Sequence, residues 1–253
     1  MPELKNSITL ISGASSGIGE ACAKKFADKG ARLILVARRL ERLQKLRRDL
    51  QADAHVIQLD VRDRRAVETA MESLPPDWKA IDVLINNAGL SRGLDKLHEG
   101  SIDDWEEMVD TNVKGLLYLS RAIIPGMVAR GKGHIINIGS IAGLEVYPRG
   151  NVYCATKHAV DALTKGMRID LVDTPVRVSS VDPGLVETEF SQVRFHGDLD
   201  RAKKVYQGYQ PLTPDDVAEA VVWVAERPQH VQVAHMLIFP KAQASAMIVH
   251  KKP

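Results

Sequence analysis

From residue 8 onward the hydrophobic pattern switches repeatedly between short continuous apolar runs and stripes of helical period. That alternation constrains the fold more than any other feature. Ile8–Ser12, Leu33–Ala37, Val56–Leu59, Val83–Ile85, His134–Ile138 and Arg177–Val181 read as buried strands, with a weaker one near Met236–Phe239. Glu20–Lys29, closed by Gly30, reads as a helix, as do Leu40–Leu50, Arg64–Ser73, Trp105–Arg130, Tyr153–Val172 and Pro214–Glu226. Pro125 predicts a kink or break in the fourth of these. Strands buried on both faces and separated by helices predict an α/β chain built on a doubly wound parallel sheet. No linker or repeat interrupts the pattern, so residues 1–253 read as one domain. In such sheets ligands bind at the carboxyl ends of the strands.

The bulk numbers exclude several functions. With 253 residues the chain can bury a full core without disulfides. A formal charge of +2 is too small to predict a nucleic-acid partner. Cys22 and Cys154 have no metal-ligand or disulfide spacing, and Cys22 falls in an apolar helical stripe. No apolar run approaches the ~20 residues of a membrane span. Met1–Asn6 shows no signal-peptide pattern. A cytoplasmic protein with no membrane partner is expected.

Gly13-Ala14-Ser15-Ser16-Gly17-Ile18-Gly19 follows the first strand and opens the first helix. Glycines there let the backbone approach a phosphate, and the free N–H groups of the helix start favour the anion. The second strand ends at Arg38-Arg39 with no carboxylate. An acidic residue there would read the ribose 2′-hydroxyl of NAD. Two guanidinium groups suit the 2′-phosphate of NADP. Arg42, Lys45, Arg47 and Arg48 follow, so the pair also fits the start of a basic, solvated helix.

Tyr153 and Lys157 are four residues apart, and on a helix they share a face. A tyrosine with a pKa of about 10 is a poor base at neutral pH, and an adjacent ammonium is expected to favour its phenolate. A phenol so placed can exchange a proton with an alcohol oxygen.

Together, Gly13–Gly19, Asn86-Asn87-Ala88-Gly89, Ser140, Tyr153-Cys154-Ala155-Thr156-Lys157 and Pro183-Gly184 resemble the short-chain dehydrogenase/reductase family in order and spacing, over essentially residues 7–240. The resemblance implies a Rossmann-type fold and an oxidoreductase. It implies Tyr153 as general acid/base, with Lys157 lowering its pKa and holding the nicotinamide ribose. Ser140 would bind the substrate oxygen, and Asn112 would hold a water of the proton relay. The cofactor would be held by Gly13, Ser15, Ser16, Gly17, Ile18 and Gly19, by Arg38 and Arg39, and by Asp60 and Val61 at the adenine. Asn87 would line the ribose region, and Pro183, Gly184, Val186 and Thr188 the nicotinamide end. No metal is implied.

A finer resemblance covers Gly184–Asp198, Ala88–Leu90, His134–Ser140 and Gly150–Tyr153. These stretches look like the NADP-dependent 3-hydroxy acid dehydrogenase branch (serine or L-allo-threonine dehydrogenases, malonic semialdehyde reductases). It implies short 3-hydroxy acid substrates, including 3-hydroxyisobutyrate and 3-hydroxypropionate types, and a cytoplasmic homotetramer. Outer faces of the two long helices could pair between subunits. Ser191–Pro211 is placed as a lid over the substrate and carries Arg194, His196, Arg201, Lys203 and Lys204; Arg92 and Arg149 are further cations near the site. A carboxylate substrate needs one such cation, and the sequence does not choose among them. Rival readings are a reductase of another carbonyl (a 3-oxoacyl thioester, sugar or steroid) and a non-catalytic NADP-binding sensor.

Overall fold

The computed structural model describes residues 4–252; Met1–Glu3 of the N-terminal expectation and Pro253 lie outside the described residues. Seven parallel strands form one sheet in the order β3-β2-β1-β4-β5-β6-β7. They are β1 Ile8–Ser12, β2 Arg32–Ala37, β3 Ala54–Gln58, β4 Ile81–Asn86, β5 Gly133–Ile138, β6 Val176–Pro183 and β7 His235–Ile238. The helices are α1 Gly17–Asp28, α2 Leu40–Asp49, α3 Arg64–Glu72, α4 Ile102–Val109, α5 Leu116–Arg130, α6 Asn151–Asp170, α7 Phe190–Arg194, α8 Leu199–Val205 and α9 Pro214–Ala225.

Alternating side chains of each strand point to opposite faces, and both faces are covered. Leu33 and Leu35 join Cys22, Phe26, Ile85, Ile136, Val181, Val217 and Val221 on the side of α1 and α9. Their neighbours Ile34 and Val36 join Leu10, Leu84, Ile135, Val178, Leu119, Ile123 and Met127 on the side of α5. This is why the strands read as unbroken apolar runs. Cys22 is fully buried as expected, and burial pushes its thiol up to about 12, which leaves it inert.

Local chemistry sets the helix starts. Asp63 accepts from the Ala66 N–H ahead of α3, and Ser101 from the Asp104 N–H ahead of α4. Thr213 and Asp216 close a reciprocal capping box ahead of α9, with Pro214 at its first position. The expected break at Pro125 does not occur: α5 runs from Leu116 to Arg130 through it. Pro125 faces solvent, so water can satisfy the carbonyl its ring leaves free. The irregularity falls earlier, where a π-helical segment, Asp110–Gly115, joins α4 to α5. The expected lid segment holds two short helices, α7 and α8.

Chain order reverses between β1 and β4, each pairing outward with a different neighbour. The crevice at that reversal, at the carboxyl ends of the strands, is where a doubly wound sheet takes its ligand.

Candidate active site

A cavity of about 550 Å³ opens at this crevice and is lined by residues from the glycine loop to the lid. Gly13 and Gly17 have φ of +68° and +56°, a backbone region that side chains disfavour. A Cβ at Gly13 would lie 2.8 Å from Asn87 Nδ2 and 3.0 Å from Ala88 Cα, so the loop closes only without side chains. Gly19 has a different task. It does not line the cavity; a side chain there would strike the Gly13 carbonyl and Asn87, so this glycine lets α1 pack against the loop.

Ser12 ties the loop to the neighbouring strand. Its hydroxyl donates to the Ile85 carbonyl at 3.3 Å and accepts from the Asn87 and Ala88 N–H groups, both at 3.0 Å. Asn87 Nδ2 donates to the Ser12 and Gly13 carbonyls at 3.0 and 3.3 Å. The cavity wall also carries Ser15, Ser16, Ile18, Arg38, Arg39, Asp60, Val61, Pro183, Gly184, Val186 and Thr188. Asp60 accepts three contacts from the Arg62 guanidinium, at 2.6 to 3.0 Å, so its carboxylate is already engaged.

At the other end of the cavity stand Ser140, Tyr153 and Lys157. Ser140 follows β5; its Oγ accepts from the Ala142 N–H at 3.1 Å, and its N–H donates to Asp182 Oδ1 at 3.2 Å. The accepting hydroxyl oxygen keeps its proton free to donate. Tyr153 and Lys157 are buried on one face of α6. Lys157 Nζ donates to the Ile138 carbonyl at 2.9 Å. Burial pulls Lys157 down to about 8, with Asp182 opposing that shift.

The sequence expectation for Tyr153 is corrected here. Its phenol is not pushed toward phenolate by the ammonium one turn away. Burial, aided by Tyr147, drives it well above the ordinary tyrosine range; the Arg194 guanidinium and the Ser140 hydroxyl recover only part of the shift. Desolvation outweighs the charge term, and the phenol is held protonated.

Asn112 sits in the π segment behind the cavity wall. Its Nδ2 donates to the Leu90 carbonyl at 2.8 Å and to Thr156 Oγ1 at 3.0 Å, and its Oδ1 accepts from the Leu90 N–H at 2.8 Å. A Cβ at Gly89 would lie 3.3 Å from Asn112 Oδ1 and 3.8 Å from Lys157 Nζ, so the two side chains converge there. Both amide protons are committed, and Oδ1 keeps one acceptor site.

The structure also separates the cations that the sequence left equal. Arg92 is tied to Glu107 at 2.6 Å, and His196 lies 3.0 Å from Asp104. Arg201 stacks on Phe195. Arg149, Lys203 and Lys204 do not line the cavity. Arg194 does. Its Nε donates to Ser91 Oγ at 2.9 Å and its Nη2 to Tyr147 Oη at 2.7 Å. The guanidinium lies 5.3 Å from the Tyr153 ring centre and 5.2 Å from that of Phe190. No carboxylate pairs with it among the described residues, and its Nη1 has no protein acceptor. Tyr147 and Asp182 lie outside the sequence motifs, and Phe190 falls in the Gly184–Asp198 stretch without an assigned role; only the folded chain brings the three to the site.

Residues 7–198 match the family model described as short chain dehydrogenase. The chain is 50% identical over 246 residues to the NADP-dependent 3-hydroxy acid dehydrogenase YdfG of Salmonella typhi, covering 96% of this chain and 99% of that one. It is 44% identical over 257 residues to the NADP-dependent 3-hydroxy acid dehydrogenase of Schizosaccharomyces pombe, covering 100% and 99%. Among solved structures, the closed form of serine dehydrogenase complexed with NADP+ superposes with a TM-score of 0.93 at 48% identity, over 97% of this chain and 100% of that one. A serine dehydrogenase structure from Escherichia coli gives 0.83 at 44% identity, over 94% and 99%. On a family match spanning most of its length and on relatives of this identity, the chain belongs to the short-chain dehydrogenase family.

Proposed function

We propose that this protein interconverts a short 3-hydroxy acid and its 3-oxo acid with NADP, the substrates being of the serine, L-allo-threonine, 3-hydroxyisobutyrate or 3-hydroxypropionate type. One observation carries the choice of substrate class: among the lid cations, Arg194 lines the cavity, beside Tyr153, and it has no carboxylate partner among the described residues. A guanidinium there suits a carboxylate carried a few bonds from the reacting carbon. A long acyl chain or a steroid would want an apolar wall at this point. Relatives named for NADP-dependent 3-hydroxy acid oxidation support the same reading.

The residues present fit a dinucleotide phosphate. A side chain at Gly13 would clash within the loop whose backbone would meet the pyrophosphate, and Arg38 and Arg39 line the same cavity, where they would read a 2′-phosphate. When bound, NADPH supplies the hydride that reduces the substrate carbonyl. Arg194 holds the carboxylate and thereby fixes which carbon faces the cofactor. Ser140 donates a hydrogen bond to the carbonyl oxygen, where negative charge develops. Tyr153, kept protonated by burial, gives that oxygen its proton. Lys157, largely ammonium at neutral pH, stabilises the phenolate that this step leaves. Asn112 places an acceptor beside Lys157, where a water can return the proton. Oxidation runs the same steps backward.

The catalytic unit is taken as the whole chain, in the cytoplasm, assembled as a homotetramer. Exposed Ile169 and Val172, at and just beyond the end of α6, with Leu117 and Val128 on α5, offer apolar surface for assembly. No described helix is long and apolar enough to cross a membrane.

Absorbance at 340 nm, followed with NADP or NAD and a panel of L-serine, L-allo-threonine, 3-hydroxyisobutyrate and 3-hydroxybutyrate, tests the substrate class. Tyr153→Phe is expected to bind NADPH normally and to lose turnover by at least ~10³, toward the upper range for general acid–base catalysis. Equal turnover in that variant would remove Tyr153 from the mechanism. Binding of NADPH with silence on every hydroxy acid would favour another carbonyl substrate or the sensor reading.

A further inference from the structure

The cofactor cleft is bridged by the protein's own charges. Arg39 follows β2 and Arg42 lies in the first turn of α2. Glu189 stands immediately before the lid helix α7. Arg39 Nη1 donates to Glu189 Oε2 at 3.0 Å, and Arg42 Nη1 donates to Oε1 and Oε2 at 2.7 and 3.0 Å. The same Arg39 guanidinium reaches the glycine loop: Nη2 donates to Ser16 Oγ at 2.6 Å and, with Nε, to Ser15 Oγ at 3.1 and 3.2 Å. One arginine thus touches the phosphate loop and the lid together, with all these groups except Arg42 on the cavity wall. The neighbouring Thr188 closes the same gap; its methyl lies 3.3 Å from where a Cβ of Gly17 would be.

We propose that Glu189 is a positioning residue: with Arg39 and Arg42 it clasps the lid across the bound cofactor and sets how slowly NADP(H) leaves. This rests on the NADP-dependent reading above. The charges allow the clasp and the cofactor to coexist. Arg38, Arg39 and Arg42 carry three positive charges against the single one of Glu189, leaving a surplus close to the charge of a phosphate monoester. Arg38 is the freest of the three, its nearest carboxylate being Glu107 at 3.7 Å. A 2′-phosphate would be held chiefly by Arg38, with the one uncommitted Nη1 proton of Arg39, while Glu189 would keep Arg42. Burial pushes Glu189 up, but its bonds from Arg42 and Arg39 prevail and keep it ionised. Arg194 closes the helix that Glu189 precedes, so a loosened clasp also loosens the cation proposed for the substrate.

The test is the NADPH dissociation rate, read by stopped-flow fluorescence with excess NADP+ as the chase. Glu189→Gln is expected to speed release roughly tenfold, since half-exposed arginine–carboxylate pairs are individually modest and act here as a pair. Arg42→Gln, which leaves the Arg39–Glu189 contact in place, should give a smaller acceleration, and the double variant should be no faster than Glu189→Gln alone, because that substitution already removes both contacts. Melting temperatures within a few degrees of wild type would confirm that the half-exposed positions leave the fold intact. A Glu189→Gln rate within twofold of wild type, or additive effects in the double variant, overturns the clasp while leaving NADP dependence standing. A wild-type protein that holds no NADPH would overturn the functional reading and the clasp with it.

Discussion

Replacing Arg194 with methionine is the perturbation that most directly tests how this site selects its substrate. The side chain is half-buried, fixed by Ser91 and Tyr147, and set against the faces of Tyr153, Tyr147 and Phe190. Two unit charges ~4 Å apart at an effective dielectric of ~20 attract by about 4 kcal/mol. Partial exposure of the guanidinium and screening by salt reduce that figure. A loss of about 3 kcal/mol in transition-state binding is the working estimate, equivalent to roughly 10²-fold in kcat/KM for a carboxylate substrate. Methionine keeps much of the apolar contact with the rings, so the charge is the main thing removed. The assay compares kcat/KM for L-serine or 3-hydroxyisobutyrate with that for an uncharged short alcohol, in wild type and variant, with NADPH affinity as the control. The carboxylate substrate is expected to lose its advantage while the neutral alcohol changes by less than about threefold. Lysine at this position should recover part of the loss, as a point charge without the planar fork. Equal losses for charged and neutral substrates would show that Arg194 shapes the pocket and does not read a carboxylate.

Three other perturbations probe different parts of the molecule. Neutral residues at Arg38 and Arg39 should weaken NADP far more than NAD in equilibrium titrations; equal weakening would mean that they do not read the 2′-phosphate. For carbonyl reduction, kcat/KM should fall as pH rises through about 8, the range in which burial places the loss of the Lys157 proton. Asp182 opposes that shift from behind the site, so Asp182→Asn should move the fall to lower pH; an unmoved limb would assign it to another group. His134 is buried neutral against Ser179, with its pKa depressed from 6.5 to about 3. Between those values the unfolded chain binds the extra proton, so stability is lost as pH falls through that window, by up to ~1.4 kcal/mol per unit. His134→Gln should flatten this part of the melting-temperature profile, and an identical profile would exclude His134 as the source.

The sheet and the catalytic pair were legible because their signals are local. Leu33 to Ala37 is apolar at every position, as a strand covered on both faces allows, and both faces are covered. Gly13 and Gly17 announced a loop that other residues could not close. Tyr153 and Lys157 needed only helical spacing to share a face. What stayed hidden depends on residues far apart in sequence. Arg194 and Arg92 have the same side chain, and only the fold gives Arg92 to Glu107 while it aims Arg194 at Tyr153. Arg39 could be read as a phosphate reader, but not as a partner of Glu189, 150 positions away. The state of Tyr153 shows the same limit. Spacing supplied the ammonium and predicted a lowered pKa, but burial raises it, Tyr147 adds to the shift, and Phe190 packs edge-on against the ring at 5.5 Å. A motif therefore names the atoms that react, whereas their protonation at rest belongs to the packing around them.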